Sequence, residues 1–419
     1  IYELPPAAWL VPHATIACRL TPRGSGDPIF SAEWRFLERL LGDRAIRTLE
    51  PHEADLFYIP LLAVYGPAGN NRCDHGQLEL ALAYVRARYA PWWSRLGGAD
   101  HFIFVTGDKG ACGLGPLGRN LIVLSHWGLL APFEWCAAYA QHGHEPSFAE
   151  SHFARSHQEL SGSSWCHAPH KDVVVPPFVT GSSRVADPER VATYSMLHAG
   201  GIVNWKDKRS GYHDARMAER VSGYSLGMRQ ALFYAYGGVA GLAHGIIIGN
   251  RSLGERDFDQ AKACLAPAGD GWGVRVGKSV VANCVPLIAQ PFVVQPLEDV
   301  LPYERFALRL SMADIDTLPR MLDALKRSDL LMMRRQLERV WPAFLWGEGG
   351  KAYEYTLLAL CHRAIELHGT LRASGADNCS QMSSVLPGGT PSRRWPAWLP
   401  ASLVEAMRLL QAQRRGSTA

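Results

Sequence analysis

Residues 262–286, KACLAPAGDGWGVRVGKSVVANCVP, bring together the residue types that an anion site needs. An apolar run around Cys264 and Leu265 leads into Pro267 and then Gly269, Asp270, Gly271, Trp272 and Gly273. Glycines there let backbone N–H groups approach a phosphate closely. Arg275 follows, and a planar guanidinium can take two phosphate oxygens at once. Val276, Val280, Val281 and Ala282 recur at spacings that suit a buried helix face, and Val285 to Ala289 reads as a further strand. Strand, glycine turn, helix and strand together form a nucleotide site in α/β proteins. A glycine-rich surface loop is the competing reading of the same stretch.

The elements that must hold this loop alternate along the chain. Ala32 to Leu41 has the spacing of an amphipathic helix, Ala54 to Tyr65 holds a buried strand, and Gly76 to Tyr89 reads as a helix. Asp100 to Thr106 and Asn120 to Ser125 are apolar β-type runs. Strands alternating with helices imply a parallel, doubly wound sheet. After HKDVVVPPFV the composition shifts to SSRVADPERVA, which reads as an interdomain linker. A second α/β unit opens with YSMLHAGGIV (Tyr194 to Val203). It continues through a helix at Ser225 to Tyr236, strands at Gly245 to Gly249 and Val285 to Ala289, and helices at Ile315 to Arg327 and Asp329 to Val340. Helices at Tyr353 to His368 and Ala401 to Gln413 flank a loop rich in Gly, Ser and Pro. The expected division is 1–185, 186–345 and a helical extension over 346–419.

Bulk properties narrow the classes. With 419 residues, 47% of them hydrophobic, the chain can fill two cores. A net charge of +4 is too small and dispersed to argue for nucleic acid, and it says nothing about an anionic nucleotide, which needs only a local arginine or two. The nine cysteines show neither a C-x-x-C pair nor zinc spacing, which fits a few long-range disulfides in an oxidising lumen. Cys264 with Cys284, at the ends of two strands flanking one helix, is the favoured pair, with two buried thiols as the alternative. The sequons at Asn250 and Asn378 are compatible with that compartment. No apolar run spans a bilayer, and a chain beginning at Ile1 leaves room for an anchor upstream. The histidines between His142 and His170 lack metal-ligand spacing and read as a lid or substrate-facing loop.

Seven segments, in order and spacing, resemble the exostosin family, glycosyltransferase family 47, in its algal and plant type. They are IYELPP, RTLEPHEADLFYIP, DHFIFVTGDKGAC, HKDVVVPP, YSLGMRQALF, the glycine loop and LEDVLPYERFALRL, and they span roughly the first 345 residues. The resemblance implies the GT-B architecture, two Rossmann-like domains facing a cleft, and transfer of a sugar from a UDP-sugar to a glycan or glycoprotein with inversion. It also implies residence in the Golgi lumen or secretory pathway, the cell surface being another possibility. A nucleotide-binding oxidoreductase is disfavoured, because no G-x-G-x-x-G follows a strand with an acid about twenty residues on.

Inverting transfer must neutralise a departing diphosphate and take a proton from the acceptor hydroxyl. Family resemblance assigns the first task to Arg229, in YSLGMRQ, to Arg275 and to the N–H groups of Gly269, Asp270, Gly271, Trp272 and Gly273, with no cofactor or metal required. Asp314-Ile-Asp316 spells D-x-D but reads as a helix cap. For the proton the candidates are Asp108, which falls at the aspartate of the relatives' His-Asp-Trp-Gly motif but here sits in Gly-Asp-Lys-Gly, and His126 in SHWG; Glu53 and Asp55, before LFYIP, read equally as acceptor contacts or helix caps. Asp108 reads equally as a turn residue before Gly110. Lys278 stands where the family carries the Asp or Glu that meets the ribose, and Gly277 where an aliphatic residue is usual. A donor site altered in this way suggests a second class, a catalytically degenerate relative with a glycan-binding or structural role.

Overall fold

A computed structural model describes residues 1–2, 28–61, 72–130, 166–179, 187–202, 224–249, 255–269, 271–369 and 379. The remaining residues include several features singled out above. These are Asp270, the asparagines of both sequons, the histidines from His142 to His157, residues 182–186 of the linker, and the helix expected at Ala401 to Gln413.

The first half runs α1 (Ala32–Gly42), β1 (Phe57–Tyr58), α2 (Arg72–Arg88), α3 (Ala90–Leu96), β2 (His101–Val105), β3 (Ile122–Ser125), β4 (Gly128–Leu129) and β5 (Val173–Val174). Strands β1, β2, β3 and β5 form one sheet in that order, parallel throughout. Every residue of β2 and β3 is buried, as a parallel sheet covered on both faces demands. At the amino end of β2, Tyr2, His101, Asp100 and Arg95 form a buried hydrogen-bonded chain. Asp100 is thereby held below the ordinary carboxylate range, its hydrogen bonds and charge partners outweighing the opposing effect of burial.

The second half runs β6 (Tyr194–Ala199), α4 (Met228–Tyr236), α5 (Val239–Leu242), β7 (Ile246–Gly249), α6 (Glu255–Asp259), β8 (Ala261–Pro267), α7 (Arg275–Val281), β9 (Val285–Ala289), β10 (Val293–Val294) and β11 (Leu308–Arg309). Helices α8 (Leu318–Ala324), α9 (Arg327–Val340) and α10 (Ala352–His368) follow. Its sheet has the order β11-β9-β8-β6-β7, again parallel. The chain leaves β6 toward β7 and returns on the other side through β8, so the strand order reverses between β6 and β8. The crevice at the carboxyl ends of two such strands is where open α/β sheets bind ligands.

Two separate parallel sheets, each with its own helices, constitute a GT-B arrangement. The halves are bound together by the antiparallel pair β4–β10, with Val293 opposite Leu129 and Val294 opposite Gly128. One apolar cluster also runs from Phe36, Tyr58 and Phe104 in the first half to Val276, Val280 and Ile288 in the second. Helix α10 belongs to the same core and returns to the first half. Tyr353 packs on Phe36 with ring centroids 5.5 Å apart and donates its hydroxyl to Asp43 at 3.0 Å. Arg363 bonds Asp299 at 2.9 Å and the Asp172 carbonyl at 3.1 Å.

Disulfides join Cys264 to Cys284, Cys112 to Cys166 and Cys361 to Cys379. The expected helix over Ile315 to Arg327 is broken. A 3-10 segment, Met312–Thr317, precedes α8, whose first turn holds Pro319, and Leu325 is extended before α9 begins. Asp329 accepts from the Lys326 N–H at 3.2 Å and so starts α9 two residues earlier than the apolar spacing indicates. At Gly277 a Cβ would stand 2.9 Å from Val179 Cγ2, so α7 packs closely against the segment leaving β5.

Candidate functional site

The carboxyl edges of the two sheets meet. Asp108 lies just past β2 and His126 just past β3, while Gly200 follows β6 and the Gly269–Gly273 loop follows β8. Trp272 joins the edges, its indole N–H lying 3.2 Å from the carbonyls of both Thr106 and Gly107. Its backbone N–H donates to the Asp108 carbonyl at 3.4 Å. Gly271 sits against that carbonyl at φ +141, and a Cβ there would collide with it. The structure thus brings the glycine loop and Asp108 together through their backbones.

A strained turn sets the other side. Ser225, Leu226 and Gly227 adopt left-handed angles in succession, with φ of 54, 53 and 75. For a bulky residue such as Leu226 that conformation costs about 1–2 kcal/mol. Burial of Leu226 beside Trp272 and Ala268 offsets it. The turn is tied to the glycine loop by Ser225 N–H to the Gly269 carbonyl at 2.6 Å. The Ser225 hydroxyl also accepts from the Arg229 N–H at 3.2 Å, satisfying one of the first donors of α4. The turn therefore fixes both the loop and the helix that carries Arg229.

Arg229 is buried, at 6% exposure, and donates to the Gly201 carbonyl at 2.7 Å. Arg275, the first residue of α7, is half-buried and lies over Gly200: a Cβ at Gly200 would stand 2.5 Å from its Nη2. Gly200 has φ +152 and no side chain, so the guanidinium can rest on the backbone at the end of β6. Both arginines thus converge on Gly200–Gly201, at the reversal of strand order. Lys278, one turn further along α7, is half-buried.

His126 is buried, with Nδ1 2.9 Å from the Val175 carbonyl and its ring edge-on to Trp272 at 4.8 Å. Burial lowers its pKa to about 4, against a weaker upward pull from that carbonyl. Glu53 and Asp55 precede β1, at the amino end of the strand and away from the meeting edges; Glu53 accepts from Thr48 and the Asp55 carbonyl from His368. In Asp314-Ile-Asp316, Asp314 caps its own turn, taking hydrogen bonds from Ser311 N–H at 3.1 Å and Ser311 Oγ at 2.6 Å. Sequence reasoning missed Ser225 and His198. His198 sits two residues before Gly200 at the end of β6, and only the strand order reveals that position as part of the site.

Fold and site together define an α/β protein of two facing sheets, with a basic, glycine-floored crevice at the switch point of the second. The chain belongs to the exostosin GT47 family, whose domain matches residues 1–325. Probable glucuronosyltransferase Os02g0520750 of Oryza sativa subsp. japonica is 25% identical over 336 residues, covering 74% of this chain and 65% of that protein. Probable glucuronosyltransferase 47 A of Physcomitrium patens is 23% identical, covering 74% and 63%. Probable beta-1,4-xylosyltransferase IRX10L of Arabidopsis thaliana is also 23% identical, covering 74% and 68%. The chain thus spans about two thirds of the length of these relatives.

Proposed function

We propose that this protein is an inverting glycosyltransferase that moves a sugar from a UDP-sugar to a cell-surface glycan or glycoprotein, in the Golgi lumen or elsewhere in the secretory pathway. The convergence of Arg229 and Arg275 on Gly200–Gly201, at the strand-order reversal, carries this reading. Two guanidiniums over a glycine floor suit a departing diphosphate and require no metal. Membership of the exostosin GT47 family supports the nucleotide-sugar class, and the names of the relatives support a glucuronosyl or xylosyl donor.

Of the two candidates for the proton, Asp108 fits better. It is half-buried at the junction of the two edges, whereas the remaining ring nitrogen of His126 is enclosed and the ring is a weak base. His126 suits positioning of Trp272 against the first sheet. Lys278 favours a second reading, a relative that keeps the shell and has lost turnover, because lysine cannot accept from ribose hydroxyls.

Titration calorimetry with UDP tests the donor site. Arg275→Ala should weaken binding by about 1.5–3 kcal/mol, the cost of losing a charged hydrogen bond. Equal affinity in the two proteins would overturn the assignment.

A further inference from the structure

His198 is the last-but-one residue of β6 and is 1% exposed. Among the described residues neither ring nitrogen meets a partner at hydrogen-bond geometry, the Leu265 backbone offering only a weak one. A buried polar group left in that state is costly, and native proteins keep few of them without a reason. The place supplies one. The point where a Cβ of Gly200 would stand is 3.8 Å from His198 Cε1 and 2.5 Å from Arg275 Nη2, so imidazole and guanidinium border the same small volume. Arg229, from α4, reaches the same strand end through Gly201. Among the described residues the charged groups acting on the ring are these two arginines, and both repel a proton from it.

An anion in that volume changes the balance. It neutralises the guanidiniums, removes the repulsion and presents oxygen atoms to the orphaned ring. We propose that His198 is a third ligand of the donor diphosphate, giving an imidazole N–H to a phosphate oxygen held by Arg229 and Arg275, in the same site proposed above for the nucleotide sugar. The proton that makes the ring a cation on binding comes from solvent, so the site binds a diphosphate more tightly as pH falls.

The test is UDP titration calorimetry on the natural protein, His198→Phe and His198→Asn, from pH 8 to pH 6, with thermal melts of each as a check on folding. His198→Phe should bind UDP roughly ten-fold more weakly, the order of one lost hydrogen bond to an anion. His198→Asn, which keeps a donor, should recover part of that loss. The gain in affinity from pH 8 to pH 6 should be larger for the natural protein than for either variant; protonation of UDP itself opposes binding equally in all three, so the difference belongs to the histidine. Equal affinity and equal pH dependence in the natural and Phe proteins would overturn the proposal while leaving the donor site standing. Absence of UDP binding by the natural protein would overturn the donor site, and this proposal with it. A Phe variant that melts far below the other two is judged on the Asn variant, whose unchanged pH dependence would equally overturn the role.

Discussion

Trp272 does two things with one residue: it closes the contact between the halves and holds the glycine loop still. Its indole and backbone N–H groups all point to the Thr106–Asp108 carbonyls, so the loop has no freedom to drift from the first sheet. Gly271 makes that approach possible. Gly271→Ala should force the loop away from Asp108 and destabilise the protein by about 1–3 kcal/mol, as overpacking does, with UDP affinity falling in parallel. Urea unfolding together with UDP titration checks both, and an Ala variant of natural stability would mean that the loop can yield. Lys278 is the residue on which enzyme and degenerate relative divide. If it replaces a ribose-binding carboxylate, Lys278→Asp should bind UDP more tightly than the natural protein, because it restores an acceptor. Weaker binding by the Asp variant, read by calorimetry, would instead make the lysine a phosphate ligand and favour active transfer.

At the scale of elements, the second half is organised by connections about the β6–β8 pair. The left-handed turn Ser225–Gly227 links the glycine loop to α4, so a change at either end is felt at Arg229. On the far side of α7, the Cys264–Cys284 disulfide encloses the loop, the helix and the turn before β9, its cysteines 20 positions apart. Replacing both cysteines with serine should lower stability by about 3 kcal/mol on the loop-entropy estimate. The denaturation midpoint should fall with little change in slope, and an unchanged midpoint would show that packing alone defines this unit. The cleavage of the expected Ile315 to Arg327 helix into three pieces belongs to the same scale. Apolar spacing continued through it, but Pro319 and the capping pair at Lys326 and Asp329 set the local ends.

For the whole molecule, the decisive feature is the apolar cluster shared by both sheets and α10. Two halves with a common core should lose structure together, so calorimetry should show one unfolding transition; two well-separated transitions would mean that each half stands alone. Acid should weaken the assembly. His126 and His167 are buried and uncharged, with burial lowering their pKa values to about 4 and about 3 from an ordinary 6.5. A depressed histidine leaves the unfolded chain holding more protons, so stability is full above pH 6.5 and declines as pH falls toward the folded values. At pH 5, His126 alone accounts for a loss of roughly 2 kcal/mol. The urea midpoint should therefore drop between pH 7 and pH 5, and His126→Gln should flatten that drop; a variant as acid-sensitive as the natural protein would place the titration elsewhere.

Local chemistry in the sequence was enough for much of this. Glycines, arginine and apolar spacing in residues 262–286 specify a strand, a turn and a helix by short-range rules, and the Cys264–Cys284 pair lies within that same unit. Alternation of strands and helices likewise implies parallel sheets, since a parallel connection needs a crossover. What no spacing contains is the order of strands. Arg229 and Arg275 are 46 positions apart, and they converge only because β6 and β8 became neighbours while β7 went to the other side. His198 belongs to the site for the same reason. The contact of Trp272 with Thr106 and Gly107, across more than 160 residues, depends on two sheets docking face to face. Side-chain type is a property of the chain, whereas which groups share a desolvated volume is settled by tertiary packing, and in that shared volume burial and the two arginines hold the pKa of His198 well below its ordinary value.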